Sequence, residues 1–145
     1  MRNLVKAMPL FLLAVCLQIQ GSVPASPVGG RITLNGPWKL AYGLFHQTAP
    51  QTPSELKAKG WPEIAATVPG NVELDLLAAG FIKNPETGNN VNDLRKYEAY
   101  QWWYSRTFES PAPAPGERVE LVFEGLDCLG TVWVNDRLVG RTDNM

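Results

Sequence analysis

The sequence predicts an all-β domain, an antiparallel sandwich of about five or six strands that carries two short helices. Three observations predict this class. Val119, Leu121 and Phe123 alternate with Glu120 and Glu124 on either side of Val122, which is the period of a half-buried strand. Residues 131–134 and 137–139 flank Asn135-Asp136, two residue types that tolerate the positive φ of a hairpin turn. Five Trp, four Tyr and five Phe supply large side chains that fill or cap a β core, or that stack on carbohydrate.

In residues 38–69 the sequence predicts two extended segments with a helix between them. Residues 38–42 alternate apolar side chains with Lys and Ala, which indicates a strand. Residues 52–55 (Thr-Pro-Ser-Glu) form a capping box with Pro at the first helical position. This pattern predicts a short helix over residues 53–59, which Gly60 can end in the left-handed conformation. Residues 65–69 form the second extended segment.

A second short helix is predicted between Asn71, which can cap its start, and Gly80, which can end it. Leu74, Leu77 and Ala78 recur at helical spacing, so we expect them to share the packed face. A helix this short is not stable by itself, and it is therefore expected to pack on the domain.

A long polar connection over residues 81–96 leads into an aromatic segment over residues 97–108, which is expected to become a strand by Trp102. A connection of this length in a compact domain usually has a function or covers another surface. Residues 111–116 (Pro-Ala-Pro-Ala-Pro-Gly) then form a turn-like linker to the alternating segment at 119–124.

The first 25 residues predict a secretory signal segment, called the leader below. Two basic residues precede an apolar run of about ten residues at positions 10–19, which is too short to span a bilayer. Small residues follow, and they fit a cleavage site after Ala25, with Gly21 as the alternative.

The leader predicts an exported protein, periplasmic or extracellular, whose domain covers residues 26–145 and has no stable membrane span. A lipid anchor on Cys16 is an alternative that the bulky Val15 before it disfavours. Cleavage would leave Cys128 as the single thiol, which cannot form an internal disulfide and is expected to be buried and inert.

Composition excludes several classes of function. The chain carries 13 basic and 14 acidic residues, so its charge implies no nucleic-acid partner. His46 is the single histidine, and it lies in a predicted solvated loop. One histidine and one remaining thiol cannot build a zinc site from the usual ligands. We expect no metal and no cofactor.

Paired carboxylates could in principle hydrolyse a glycosidic bond, but most of the acidic residues here have simpler explanations. Glu120 is expected on the wet face of its strand, and Asp127 at a corner where it can bond to backbone groups. Glu98 is the one acid among aromatic residues. It could face a sugar, or it could pair with Arg95 or Arg106.

Arg106 lies between Tyr104 and Phe108 on one face of the aromatic strand. A guanidinium between two aromatic rings is expected to lie flat against a further ring, such as that of Trp133. We therefore predict that Arg106 joins two parts of the sheet structure and does not bind a ligand.

Five short motifs follow one another over residues 34–145. They are Leu34-Asn35-Gly36-x-Trp38; Val68-Pro69-Gly70-Asn71 before Leu74-Asp75-Leu76-Leu77; Trp103-Tyr104-x-Arg106-x-Phe108; Leu121-x-Phe123-x-Gly125-Leu126-Asp127; and Val132-x-Val134-Asn135 with Leu138-Val139-Gly140. In this order and spacing the set resembles the N-terminal sugar-binding domain of family 2 glycoside hydrolases. Residues 71–79 and 84–97 are most similar to the β-mannosidase-like branch.

The resemblance implies a jelly-roll β-sandwich related to galactose-binding domains and incomplete at its C-terminal end. It implies an exo-acting glycoside hydrolase, β-mannosidase-like, that hydrolyses O-glycosyl bonds of a carbohydrate substrate. An immunoglobulin-like domain and a (β/α)8 barrel would follow in the same chain. The catalytic glutamates of such enzymes belong to the barrel, so no catalytic residue is assigned here and the 145-residue chain is expected to be inactive.

Contact with substrate is therefore the question left within this domain. Glu98, Trp102 and Trp103 are the candidate substrate-binding residues, and the connection at 84–97 is a candidate for leaning over the barrel. The alternative is that they only pack against other residues or domains. Two other functions stay open: a stand-alone carbohydrate-binding module, and a domain used only for contacts between domains or subunits.

Overall fold

The computed structural model describes residues 12–20, 30–46 and 48–144. The strands are β1 (Leu12–Gln20), β2 (Gly36–Leu44), β3 (Glu63–Val68), β4 (Tyr100–Glu109), β5 (Cys128–Val134) and β6 (Arg137–Asn144). The helices are α1 (Pro53–Lys59), α2 (Val72–Ala78) and a 3₁₀ helix (Asn90–Tyr97). The six strands form one sheet in the order β3-β2-β4-β1-β5-β6. The all-β prediction is confirmed.

The predicted hairpin is confirmed in position and in turn geometry. Strands β5 and β6 pair antiparallel, and the two residues between them, Asn135 and Asp136, have φ of 47° and 67°. These values belong to the left-handed region that a tight two-residue hairpin requires. The predicted strand at 38–42 is confirmed as part of β2, and the extended segment predicted at 65–69 overlaps β3, which pairs antiparallel with β2.

Strand β1 lies at the centre of the sheet, between β4 and β5, and pairs parallel with both. Its residues Ala14, Val15, Cys16 and Leu17 are all buried. A central strand needs apolar side chains on both faces, and the apolar run predicted as the leader has them. The leader stays a prediction, and a chain cleaved after Ala25 would lack β1.

The sheet has an apolar layer on each face. The larger layer, called the main core, contains Val15, Leu17, Trp38, Leu40, Ala66, Leu76, Ile82, Trp102, Tyr104 and Val132. On the opposite face Ala14, Ala41 and Trp103 are buried against Leu56, Trp61 and Trp133. Helix α2 therefore belongs to the main core, and helix α1 covers the opposite face.

Helix α1 begins and ends as the sequence predicts. The Thr52 side chain accepts a hydrogen bond from the backbone N–H of Glu55 (3.2 Å), and Gly60 ends the helix with φ of 61°. Asp136 in the hairpin turn accepts hydrogen bonds from the backbone N–H and the hydroxyl of Ser54. A carboxylate at a helix N-terminus is favourable, so this contact ties α1 to the sheet.

Helix α2 lies within its predicted bounds, and the prediction of its packed face is right for Leu77, which packs against the main core, and wrong for Leu74 and Ala78. Leu74 is 58% exposed and Ala78 is exposed, whereas Asp75 and Leu76 are buried. Asp75 bonds inward to β3 and β4, so the buried side of the helix carries Asp75 and Leu76 and leaves Leu74 outside. Asn71 caps the helix as expected, accepting a hydrogen bond from Leu74 N–H at 2.9 Å.

The strand predicted over residues 119–124 is not formed in the structure. Val119 and Val122 are 66% and 71% exposed, and only Phe123 and Leu126 pack against the main core. Strand β1 lies between β4 and β5 and is hydrogen-bonded to both, so neither strand has a free edge there with which residues 119–124 could pair. It crosses the main-core side without a hydrogen-bonded ladder.

Candidate functional site

A cluster of five aromatic rings lies where β2 ends and β4 begins. Antiparallel pairing places Tyr42 opposite Trp102. The ring centroid of Tyr42 lies 5.8 Å from that of Trp102, 6.2 Å from that of Tyr100 and 6.0 Å from that of Phe81. Tyr97, at the end of the 3₁₀ helix, lies 5.3 Å from Tyr100 and 5.9 Å from Trp102. We call Tyr42, Phe81, Tyr97, Tyr100 and Trp102 the aromatic cluster.

The aromatic cluster presents partly exposed rings above a buried base. Trp102 is 1% exposed, whereas Phe81 is 42% exposed and the three tyrosines are half-buried. Burial raises the pKa of the Tyr42 phenol, and the neighbouring Tyr97 and Tyr100 raise it further. Tyr42 therefore stays a neutral hydrogen-bond donor at neutral pH. Rings with hydroxyl donors can stack on the C–H face of a sugar.

The three predicted substrate-binding residues lie in three different environments. Trp102 forms the buried base of the aromatic cluster, and Trp103 is 1% exposed on the opposite face of the sheet. Adjacent residues of a strand point to opposite faces, so the two indoles cannot act on one ligand. Glu98 follows the 3₁₀ helix and is exposed.

The predicted pairing of Glu98 with an arginine is wrong. Among the described residues the ion pairs are Arg31–Glu124 and Lys39–Glu63, both of them exposed or half-exposed. Arg106 is not against Trp133 either. Its Nη1 donates to the carbonyl oxygens of Leu34 (2.8 Å) and Asn35 (2.9 Å), because these carbonyls precede β2 at the end of the adjacent strand. The arginine thus fixes the entry into β2.

A buried carboxylate that the sequence analysis did not single out links three elements. Asp75 is 5% exposed. Its Oδ1 accepts a hydrogen bond from Thr67 N–H on β3 (3.0 Å), and its Oδ2 accepts one from the Tyr104 hydroxyl on β4 (2.7 Å). Burial and this bond raise the pKa of Tyr104, so its phenol remains a donor. The sequence signal that could have indicated a buried carboxylate is the single Asp among leucines in Leu74-Asp75-Leu76-Leu77.

We expect Asp75→Ala to destabilise the chain by about 3 kcal/mol, because it leaves a buried phenol and a backbone N–H without partners. Leu74→Ala is the matched control on the exposed side of the same helix and should change stability by less than about 0.5 kcal/mol. Urea unfolding followed by circular dichroism measures both. Equal effects of the two substitutions would contradict a structural role for Asp75.

A small cleft lies on the face opposite the main core. It has a volume of about 40 Å³ and is lined by Ala14, Gln51, Gln101, Trp103, Thr131, Trp133 and Arg141. Gln101 Nε2 donates to the carbonyl oxygen of Pro50 (3.1 Å), which orients the amide. The space fits one polar group and not a sugar ring.

The remaining candidate groups for chemistry are His46 and Cys128. His46 is exposed in a loop, as predicted, and its Nδ1 lies 3.1 Å from the Thr48 hydroxyl. Cys128 is half-buried, not buried, and a hydrogen bond with Asp127 raises the pKa of its thiol. Within residues 12–20, 30–46 and 48–144, no three His, Cys, Asp or Glu side chains are grouped to hold a metal ion.

No helix among the described residues is long and apolar enough to cross a membrane.

Comparison with known proteins gives matches at the level of family and of sequence. A family model described as "Glycosyl hydrolase 2 galactose-binding domain-like" matches residues 45–145. The chain is 32% identical to Beta-mannosidase of Rattus norvegicus over 137 residues, 94% of this chain. It is 30% identical to Beta-mannosidase of Mus musculus over 135 residues and 33% identical to Beta-mannosidase B of Aspergillus niger over 91 residues. No solved structure matches it.

The matched region is a small part of these relatives. It covers 92% of this chain in the mouse alignment and 63% in the A. niger alignment. It spans 13% of the rat and mouse proteins and 11% of the A. niger protein. The relatives are therefore much longer than the domain described here.

Proposed function

Because the chain belongs to the family of glycosyl hydrolase 2 galactose-binding-like domains, we propose that it is the N-terminal, non-catalytic domain of an exported β-mannosidase-like glycoside hydrolase. The observation that carries the proposal is the alignment with Beta-mannosidase of Rattus norvegicus over 94% of this chain. The substrate would be a carbohydrate with a terminal β-linked mannose, and the catalytic barrel would lie in the rest of a longer polypeptide.

The chemistry of the described residues supports a non-catalytic role. Retaining and inverting glycosidases use two carboxyl groups about 5–10 Å apart that flank the scissile bond. Here the buried carboxylate Asp75 is engaged by Thr67 and Tyr104, and Glu98 is exposed beside the 3₁₀ helix. The domain instead offers the aromatic cluster, whose half-buried tyrosines can contact a sugar or a neighbouring domain.

We expect the 145-residue chain to hydrolyse no glycoside, and a gene product extended beyond residue 145 to hydrolyse nitrophenyl β-mannoside. The β-galactoside, β-glucoside and β-glucuronide serve as controls for the sugar. Activity of the extended product on another sugar would correct the substrate and keep the hydrolase class. Activity of the short chain would contradict the non-catalytic role and make Glu98 the first residue to substitute.

A stand-alone carbohydrate-binding module is the second candidate, and the aromatic cluster is the observation that favours it. The partly exposed ring of Tyr100 has its centroid 6.2 Å from that of Tyr42 and 5.3 Å from that of Tyr97. Binding of mannose or mannobiose by the 145-residue chain, lost in Tyr100→Ala, would support this candidate. A chain that binds neither sugar would leave the hydrolase domain as the better assignment.

A further inference from the structure

The dipeptide Asn35-Gly36 at the start of β2 is the one Asn-Gly pair in the sequence. Gly36 is the first residue of β2 and has φ of 108°, a backbone conformation that residues with side chains rarely adopt. The entry into the sheet therefore requires glycine directly after Asn35. A glycine nitrogen has no side chain on its own residue to shield it, so it can reach the amide carbon of a preceding asparagine more easily than other residues can.

The side chain of Asn35 is exposed and is not held in place. Within the described part of the chain, its hydrogen bonds involve only its backbone N–H and C=O groups. Gly36 pairs with Val68, the last residue of β3, so the peptide group between Asn35 and Gly36 lies where the ladder of β2 and β3 ends. Pairing opens most easily at such an end, which makes the Gly36 nitrogen accessible.

Arg106 contacts the peptide group between these two residues. Its Nη1 donates to the carbonyl oxygen of Asn35 at 2.9 Å, and that carbonyl belongs to the same peptide group as the Gly36 nitrogen. Among the described residues no carboxylate forms an ion pair with Arg106. A charged donor on this oxygen stabilises the negative charge that the peptide group develops when its nitrogen loses a proton.

We propose that Asn35 is a deamidation site and that Arg106 promotes the reaction. The Gly36 nitrogen forms a bond to Cγ of Asn35 and gives its proton to water, while the bond from Cγ to the side-chain nitrogen breaks and ammonia leaves. One water molecule then opens the imide ring at either carbonyl, which gives aspartate or isoaspartate at position 35. Water is the only co-reactant, and nothing is oxidised or reduced.

The reaction would change the contacts that fix the entry into β2. The Leu34 carbonyl oxygen accepts hydrogen bonds from Arg106 Nη1 (2.8 Å) and from Trp38 Nε1 (2.7 Å), and Trp38 belongs to the main core. Isoaspartate adds one atom to the backbone at position 35 and displaces the carbonyl groups that Arg106 holds. Aspartate places a carboxylate beside the guanidinium, where it competes with those carbonyls. Either product disturbs the link between β4 and the segment before β2, whatever the activity of the longer protein.

The test compares the rate of Asn35 deamidation in the folded 145-residue chain with the rate in a synthetic peptide of residues 31–41. Samples are kept in mildly alkaline buffer and digested, and chromatography with mass spectrometry separates the asparagine, aspartate and isoaspartate peptides. We expect the folded chain to react about tenfold faster, because the fold places Arg106 on the reacting peptide group. A folded chain that reacts no faster than the peptide would overturn the proposal.

An internal reference is available in the same digests. The Asn71 side chain accepts a hydrogen bond from Leu74 N–H (2.9 Å), and Val72, which follows it, has a branched side chain. We expect Asn71 to remain asparagine while Asn35 reacts.

A substitution then tests the role of the arginine. Arg106→Met removes the charged donor and keeps a long side chain, and we expect it to lower the rate at Asn35 about tenfold, to that of the peptide. An unfolded variant would also react at the peptide rate, so the result does not depend on its folding. Arg95→Met removes an exposed arginine of the 3₁₀ helix and should leave the rate unchanged. An Arg106→Met variant that reacts as fast as the unsubstituted chain would refute the role of Arg106.

Discussion

Deletion of residues 1–25 from the 145-residue chain should abolish cooperative thermal unfolding. The deletion removes β1, the one strand that joins β2, β3 and β4 to the β5–β6 hairpin. It also takes Val15 and Leu17 out of the main core and leaves two strand edges facing each other without hydrogen bonds. Circular dichroism melting of the full and shortened chains measures the effect.

Point substitutions in β1 separate packing from chain length. Leu17 is fully buried, so Leu17→Ala should lower the free energy of unfolding by about 2–5 kcal/mol. Gln18 is exposed on the same strand, and Gln18→Ala should change it by less than about 0.5 kcal/mol. A shortened chain with the same cooperative midpoint as the full chain would show that β1 contributes nothing to the fold.

Truncation of either central tryptophan should cost about 3–5 kcal/mol of stability, because Trp102 and Trp103 are equally buried on the two faces of β4. Trp102→Ala empties the base of the aromatic cluster. Trp103→Ala empties the space beneath Trp61 and Trp133. Urea unfolding of each variant gives the free energy, and Phe81→Ala, at a half-exposed ring of the same cluster, is the control with a smaller expected loss.

The same variants test the substrate-binding prediction for these residues. If Trp103 only packs, the extended enzyme carrying Trp103→Ala should lose folded yield, and its folded fraction should keep its KM for the mannoside. Unchanged thermal stability together with weakened substrate binding would reverse this interpretation and assign Trp103 to the sugar.

Local signals predicted much of this fold. The Thr52 cap of α1, the cap at Asn71 and the Asn135-Asp136 turn each depend on residues within four positions of one another, and each is confirmed. The second bond of the predicted capping box differs, because the Glu55 carboxylate accepts from the Gln51 N–H. The strand pattern over residues 119–124 was equally clear, but a strand also needs a partner edge. Which edges are free depends on the whole sheet, and periodicity does not contain that information.

The site was less predictable because it depends on which face each element buries. Neighbouring aromatic residues in the sequence suggested one surface, whereas the pleat of β4 sends Trp102 and Trp103 to opposite layers. Helix α2 buries Asp75 together with Leu76 and leaves Leu74 exposed, which the helical spacing of Leu74, Leu77 and Ala78 did not predict. Family resemblance supplied the domain class, and the pairing of distant elements decided the rest.

The pairing of β1 with β5 can form only late in translation. Leu12 pairs with Leu129, 117 positions later in the chain, so the leader leaves the ribosome long before the second of its two flanking strands exists. At roughly 5–20 residues per second the interval is about 6–23 s. For the export proposed above, this interval would leave the predicted leader accessible to the export machinery before the sheet can form. If the whole sheet formed before the predicted leader was recognised, residues 12–20 would be buried in it as β1.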